Sequence, residues 1–394
     1  MANIYINEEA DAVFDYAVGL RRHFHQYPDT GMNEFETSKT IKAELQSMGI
    51  RYREVAPTGV IAEIGHGSPV IALRADIDAL DIPEETGVEY QSKIHGKMHA
   101  CGHDVHMANL LGTARALKQF EPQMNFTVRF IFQPDEENIR GAKIMCAAGA
   151  MDGVDQVFGA HVFADIPCGL INIEDGPRMA KAEYFSIEID GKPGHAGQPQ
   201  KCIDASVSAA AVLLNLQSIV SRSIDPLHSV VITIGMVQSG TAKNIISGHA
   251  YLGGTIRTFS EGMSEYVHEC ITRVAESTAA AYNTTAAVFF DPNTTPAVDN
   301  DPKVAAEIRK AMLRVFPEDA IVSLPKLMLA EDFCQYQLRV PGAFAFLGGG
   351  NAQMDRAYPN HHCRFNVDEE CIRNGIKAFL AYIVEYGENR SLFV

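Results

Sequence analysis

The chain has 394 residues, 46% of them hydrophobic, which is enough to bury a large core and more than one compact domain usually contains. Its 33 basic and 49 acidic residues give a net charge of -16, and the absence of a Lys/Arg-rich run argues against nucleic-acid and membrane-surface partners. It begins without a signal-peptide pattern, contains no stretch as long as a membrane span and scatters eight cysteines, so we expect a cytoplasmic protein with reduced thiols.

Helices alternate with apolar runs in the first 180 or so residues. The first 45 or so residues are predicted to be helical, ending near Met48 and Gly49. Apolar runs follow at 70–75, 126–132 and 157–163, and a helix is predicted from about 104 to 119. Near-continuous apolar runs separated by helices are typical of a mostly parallel sheet with helices on both faces, so we predict an α/β domain.

The pattern changes at about residue 182. Six elements follow in the order β-α-β-β-α-β, which is the order of a ferredoxin-like α+β unit. They are the strand YFSIEID, the helix 203–221, the strands SVVITIGMV and AYLGGTIRTF, the helix 262–281 and the strand TAAVFFD. The α/β pattern then resumes with a helix at 302–315, a strand at 343–349 and a helix from about 368 to 386. We therefore predict a ferredoxin-like domain, residues 182–291, inserted between the two parts of an α/β domain, 1–181 and 292–394.

The run HACGHDVHMA, residues 99–108, combines a thiol and an imidazole with a spacing that suits a metal. Cys101 and His103 stand where the predicted helix begins, and a thiol near the positive end of a helix ionises more easily. The thiolate is the form that binds metal. A buried cysteine beside a structural histidine is the alternative that this segment alone leaves open.

Other polar residues follow the predicted strands. Asp76 and Asp78 follow the first run, Glu136 and Glu137 the second, and His161 lies in the third. Strand carboxyl ends line the ligand crevice of α/β sheets, so these groups can converge although they are distant in sequence. The predicted metal ligands are Cys101, His103, Glu137, His161 and His361.

Five such ligands exceed the needs of one tetrahedral zinc ion and could hold two cations ~3.5–4 Å apart. A pair of cations generates hydroxide from water and polarises a carbonyl. Glu136 neighbours a predicted ligand but would point elsewhere, as a general base must. A solvated helix start is the alternative role of Glu136 and Glu137.

Nearly the whole chain resembles the M20 metallopeptidase family, in its amidohydrolase branch of hippurate hydrolases, auxin-conjugate hydrolases and N-acetyl amino acid deacetylases. HACGHD together with FQPDEE carries this resemblance, and LRADIDALDIPEETG, IDGKPGHAGQP, NIISGHAYLGGTIRTF, LAEDF and HHCRF support it. The resemblance implies a catalytic domain interrupted by a smaller lid that also dimerises. It assigns metal binding to the same five residues and the general base to Glu136, and it favours His361 over His362 because Phe365 stands four residues later.

The resemblance also lends roles to three residues of the predicted lid. His195 would stabilise the oxyanion in the partner subunit's site, although a loop histidine is usually just solvated. Asn244 would donate a hydrogen bond to substrate, with turn capping as the alternative. Arg257 would bind a substrate carboxylate, with a structural salt bridge as the alternative.

The sequence therefore predicts a dinuclear metal amidohydrolase that cleaves N-acyl amino acids, with acetyl or aryl-acyl groups, to a carboxylic acid and a free amino acid. The two divalent ions would be manganese, zinc, nickel or cobalt, and the protein a homodimer through the lid or a higher homo-oligomer. A dipeptidase or exopeptidase and a non-catalytic metal-binding scaffold are the alternatives.

Asp135 stands where the branch usually has Ala, and its charge could raise the pKa of Glu136 or alter the metal preference.

Overall fold

The computed structural model describes residues 4–354 and 356–393. The α-helices are α1 Ile6–Gln26, α2 Phe35–Ser47, α3 His103–Lys118, α4 Gly141–Ala147, α5 Ala205–Ser218, α6 Glu261–Ala281, α7 Pro302–Met312, α8 Cys334–Gln337 and α9 Glu370–Asn389. The strands are β1 Arg51–Val55, β2 Gly59–Gly65, β3 Val70–Asp76, β4 Thr127–Gln133, β5 Gln156–Pro167, β6 Ile171–Asn172, β7 Gly176–Met179, β8 Lys181–Asp190, β9 Gly194–His195, β10 Val231–Ser239, β11 Ile245–Ile246, β12 His249–Thr258, β13 Thr285–Phe290, β14 Val298–Asn300 and β15 Gly342–Gly350. Within these two ranges, every helix is too short or too polar to traverse a lipid bilayer.

The N-terminal region contains two helices, so the prediction of one continuous helix was wrong between residues 27 and 34. Pro28 lies just beyond α1, lacks a backbone N–H and disfavours the helical conformation at Tyr27. The carboxylate of Asp29 accepts two backbone N–H groups at the start of α2, each at 3.0 Å, and so begins the second helix. The predicted end near Gly49 is confirmed, because that residue adopts a left-handed φ of 64° directly after α2.

The central sheet has seven strands in the order β1-β2-β4-β3-β5-β15-β6. The four inner strands β4, β3, β5 and β15 run parallel, and β1, β2 and β6 pair antiparallel at the edges. The predicted α/β class with a mostly parallel sheet is thus confirmed, whereas the antiparallel β1 and β2 were not predicted. Helices α1, α3 and α9 pack against one another and share the core with the inner strands.

A second sheet is built from β10, β12, β8 and β13 in that order, with every neighbouring pair antiparallel. Numbered along the chain these are strands 2-3-1-4, the arrangement of a ferredoxin-like unit, which confirms the predicted class. Helices α5 and α6 pack together against this sheet and enclose its own apolar core. Two residues of β9 pair with β11 in a separate short ribbon.

The chain divides into two units. Unit 1 comprises residues 1–178, 299–325 and 332–394, and unit 2 comprises residues 179–298 and 326–331. Unit 1 contains the seven-stranded sheet, and unit 2 the four-stranded sheet. The assignment of the predicted domains as catalytic and as lid and dimerisation domain stays a prediction.

Candidate active site

The polar residues that follow the inner strands lie at one level of the central sheet. Arg74 of β3 pairs with Gly159 of β5, so His161 stands level with Asp76, the last residue of β3. Asp76 in turn pairs with Gln133, which ends β4 just before the two glutamates. The strand β5 continues beyond His161 to Pro167, further than the sequence pattern indicates.

Gly102 forms the turn between Cys101 and His103. It has φ 88° and precedes α3, whose first residue is His103. A Cβ atom at this glycine would lie 2.3 Å from Cγ1 of Val162, so both the backbone conformation and the close approach require glycine. The turn brings the thiol and the imidazole to the carboxyl end of β5.

Hydrogen bonds through the Nδ1 atoms orient two imidazoles. Nδ1 of His103 lies 2.9 Å from the backbone oxygen of Asp78, and Nδ1 of His161 lies 2.9 Å from that of Val162. Because carbonyl oxygens only accept, both Nδ1 atoms carry the proton and the Nε2 atoms are left as ligands. Nε2 of His161 lies 3.4 Å from Sγ of Cys101.

Glu137 and His361 complete this group. The Glu137 carboxylate lies 3.3 Å from Nε2 of His361 and 3.9 Å from Nε2 of His103. The backbone N–H of Glu137 donates to the Asp78 carboxylate at 3.1 Å, so Asp78 orients both Glu137 and His103. His361 has φ 68°, and its backbone N–H donates to the oxygen of Ala100 at 2.7 Å.

The five predicted ligands form two overlapping donor sets. Cys101, His103 and His161 form one, and Cys101, Glu137 and His361 form the other, with the ligand atoms of each set within 4.8 Å of one another. Two of these atoms, Nε2 of His103 and Oε1 of Glu137, are buried and lack a hydrogen-bond partner among the described residues. Buried polar atoms rarely stay unpaired, and a sulfur, nitrogen and oxygen donor set fits divalent transition-metal ions. The residues therefore fit two cations, with Cys101 common to both sets.

Burial and neighbouring charges shift the pKa values of the side chains in this cluster. Burial raises the pKa of the Cys101 thiol, and the Glu137 carboxylate raises it further. The expectation that the helix start makes this thiol ionise easily is therefore wrong for the metal-free protein. The same thiol and Glu137 raise the pKa of His361 to about 10, and burial lowers that of His161.

Glu136 is buried and lies beside these ligands. Its carboxylate is within 4.8 Å of ligand atoms of both His103 and Glu137. The neighbouring Asp135 accepts hydrogen bonds from Nε of Arg140 at 2.5 Å and from Nδ2 of Asn138 at 2.7 Å. Its charge is thus paired within its own loop, and we attribute no change in Glu136 to it.

His106 belongs to the same motif, HACGHDVHMA, but lies outside the two donor sets that share Cys101. Its Nε2 accepts the backbone N–H of Val162 at 2.9 Å, and its Nδ1 lies 2.5 Å from Asp76. Both nitrogens are therefore used within the protein, as expected of a structural histidine. Asp76 also pairs with Arg74 at 2.7 Å.

The three residues predicted from the second domain belong to unit 2. His195 is exposed on β9, and its Nδ1 accepts the backbone N–H of Gly197 at 3.0 Å, which leaves the proton of the neutral ring on Nε2. Asn244 precedes β11, and its backbone oxygen accepts the N–H of Ala196 at 3.1 Å. Nη1 of Arg257 on β12 donates to the hydroxyl of Thr255 and to the backbone oxygen of Ile256, the latter at 3.1 Å.

The family model for peptidase family M20/M25/M40 matches residues 72–385, which include all nine predicted site residues. The chain belongs to this family. The predicted resemblance to the M20 family is thereby confirmed.

Relatives of this M20 chain are found among proteins and solved structures. It is 40% identical to an N-acetylcysteine deacetylase of Bacillus subtilis, over 93% of this chain and 96% of that protein. It is 38% identical to the IAA-amino acid hydrolase ILR1-like 4 of Arabidopsis thaliana, over 95% of this chain and 86% of that protein. The crystal structure of the Bacillus subtilis YxeP protein, described as a dinuclear metal-binding peptidase of the M20 family, has a TM-score of 0.84 and 36% identity, covering 95% of this chain and 99% of that one.

Sequence reasoning missed two side chains that support the M20 site. The Glu34 carboxylate accepts the backbone N–H of Asp135 at 2.9 Å, and the Asn360 amide donates to the Cys101 oxygen at 3.1 Å. In the sequence, Glu34 is 101 residues away from Asp135, and Asn360 is 259 residues away from Cys101. The signal nearest to either residue is the motif HHCRF, which begins directly after Asn360.

Proposed function

We propose that this M20 chain is a metal-dependent amidohydrolase that cleaves the amide bond of N-acyl L-amino acids, giving a carboxylic acid and a free amino acid. The observation that carries the proposal is the pair of donor sets that share Cys101, with the buried carboxylate of Glu136 beside them. The names of the Bacillus subtilis deacetylase and the Arabidopsis thaliana hydrolase support an N-acyl amino acid as substrate.

Cys101, His103, Glu137, His161 and His361 would hold two divalent cations, as in the dinuclear Bacillus subtilis relative. Cations bound there supply Lewis acidity, which acidifies water and polarises an amide carbonyl. The remaining steps belong to side chains of the protein.

Glu136 is the proposed general base. Its position beside His103 and Glu137 allows it to take a proton from the attacking water and to carry that proton to the leaving nitrogen. Glu137, by contrast, would be fixed as a ligand, because its backbone N–H and its carboxylate are already bound to Asp78 and His361. Two adjacent glutamates thus have different tasks.

Residues of unit 2 would bind the substrate. Arg257 donates through Nη1 to Thr255 and Ile256, and the rest of its guanidinium would pair with the α-carboxylate of an N-acyl amino acid. His195 presents Nε2–H outward and would stabilise the oxyanion in the partner subunit's site. Asn244 would donate its side-chain amide to the substrate.

The role of His195 requires a homodimer, which we propose to form through unit 2 as lid and dimerisation domain. Strand β10 is an edge of its sheet and exposes Met236 and Val237. Helix α5 exposes Val207 and Leu214 on the face opposite its buried side chains. Unpaired edges and apolar faces of this kind favour association.

We propose that the protein is located in a reducing cytoplasm. Its eight cysteines, all free in the structure, would stay reduced there.

The test is hydrolysis of acetyl, benzoyl and indoleacetyl amino acids and of a dipeptide, after metal removal and reloading. Glu136→Gln should retain the metal and lose about 10²–10⁴-fold in kcat, whereas the exposed Glu318→Gln serves as control with parental activity. Parental turnover of Glu136→Gln would refute its role. A preference for the dipeptide would favour an exopeptidase. No hydrolysis of any substrate by the metal-loaded parent protein would favour a non-catalytic metal-binding scaffold.

A further inference from the structure

Asn360 lies directly before the proposed ligand His361 and contacts two other segments that carry ligands. Its Nδ2 donates to the backbone oxygen of Cys101 at 3.1 Å and to that of Val162 at 3.2 Å. The same nitrogen lies 3.8 Å from Sγ of Cys101, so that one of its two hydrogens is shared between a carbonyl oxygen and the sulfur in a weak N–H···S hydrogen bond.

These contacts join the segments of three ligands. The oxygen of Val162 also accepts Nδ1 of His161, so Asn360 shares an acceptor with the imidazole that faces Cys101. The residue after Asn360 is bound as well, because the backbone N–H of His361 donates to the oxygen of Ala100 at 2.7 Å. Residues 360 and 361 are thus bound to residues 100 and 101 by a side chain and by a backbone group.

His361 needs such support because its backbone is strained and its side chain is 54% exposed. A φ of 68° is unfavourable outside glycine and persists only where neighbouring contacts impose it. The Asn360 amide adds a hydrogen bond to the Cys101 oxygen beside the one that the His361 N–H donates to Ala100, so that two groups bind this loop to the backbone of residues 100 and 101.

We propose that Asn360 is a positioning residue of the proposed metal centre, which fixes His361 relative to Cys101 and His161 and modulates the Cys101 sulfur. The proposal rests on the proposed function. Hydrogen bonds around ligands set their orientation and the electronic properties of bound metal, and their loss typically weakens metal affinity 10–100-fold.

Asn360→Leu removes the amide at nearly constant size, and Asn360→Asp keeps its shape but replaces the donating NH₂ with oxygen. Asn374→Leu is the matched control, because its amide contacts the sulfur of Cys168, 4.0 Å away, outside the donor sets. Each protein is made metal-free, checked by thermal unfolding and titrated with Co²⁺ against a chromophoric chelator. The sulfur-to-cobalt charge-transfer absorption is recorded as well.

We expect both Asn360 variants to bind Co²⁺ about 10–100-fold more weakly and to shift the charge-transfer band, while Asn374→Leu matches the parent. Since Asn360→Asp hardly changes size, it also tests the contact if Asn360→Leu unfolds. Affinities within twofold of the parent and an unchanged band would overturn the inference and leave the proposed function intact. A folded parent that takes up no Co²⁺ would overturn both.

Discussion

Gly102→Ala is expected to damage both the fold and the metal site, because Gly102 forms the turn between two proposed ligands. Its φ of 88° lies in the left-handed region, which costs an alanine roughly 1–2 kcal/mol. The new Cβ would lie 2.3 Å from Cγ1 of Val162, and overpacking of this kind costs about 1–3 kcal/mol. The two effects together predict a loss of about 2–5 kcal/mol in the free energy of unfolding.

Gly67→Ala separates these two effects. Gly67 has a similar φ of 83°, but a Cβ there would have no neighbour within 4 Å. Urea denaturation of the metal-free proteins should therefore show the conformational cost in both variants and the packing cost only in Gly102→Ala. Cobalt titration should show weakened binding in Gly102→Ala alone, because only this turn joins Cys101 to His103. Equal destabilisation of both variants, with parental cobalt affinity, would refute the reasoning.

Two further predictions concern buried side chains outside the donor sets. Glu34 accepts the backbone N–H groups of Asp135 and Met32 and the hydroxyl of Thr58, so Glu34→Ala should cost about 1–3 kcal/mol of stability and lower kcat more than it raises KM. Burial and Arg21 lower the pKa of His25, but hydrogen bonds to Asp104 and Glu84 outweigh them and raise it. The protonated His25 ring therefore stabilises the folded protein fully at pH values below the pKa of histidine in the unfolded chain, about 6.5, and this stabilisation is lost as the pH rises through the pKa of His25 in the folded protein. In His25→Gln, the melting temperature should therefore fall less steeply over this pH range than in the parent.

The exposed Glu36→Ala and His66→Gln are the matched controls for these variants. A parental kcat in Glu34→Ala would show that the loop of Glu136 does not need this anchor. A decline in stability above neutral pH that is as steep in His25→Gln as in the parent would assign the pH dependence to other groups.

The parallel centre of the sheet could be predicted because its strands are buried on both faces and appear as continuous apolar runs, such as VIALRA. The edge strand β1 could not, because its sequence RYREV is exposed at four of five positions and has no apolar pattern. Similarly, the break between α1 and α2 depends on Pro28 and on the Asp29 carboxylate that begins α2.

Within the site, residue types could be predicted but not their partners. Thiol, imidazole and carboxylate at strand ends indicate metal ligands, since the ends of parallel strands converge at one edge of the sheet. The pairing of Asp135 with Arg140 and the contact of Asn360 with Cys101 depend on side-chain directions in loops, which no periodicity encodes.

Cys101 shows how a local inference can fail when the fold adds a larger effect. The start of α3 favours the thiolate, but burial of the side chain and the charge of Glu137 both oppose it and raise the thiol pKa. A raised pKa, for the Cys101 thiol and for His361 alike, means that each group holds its proton more firmly in the metal-free site. Cations have to displace these protons to bind, so the affinity of the proposed centre for metal rises with pH.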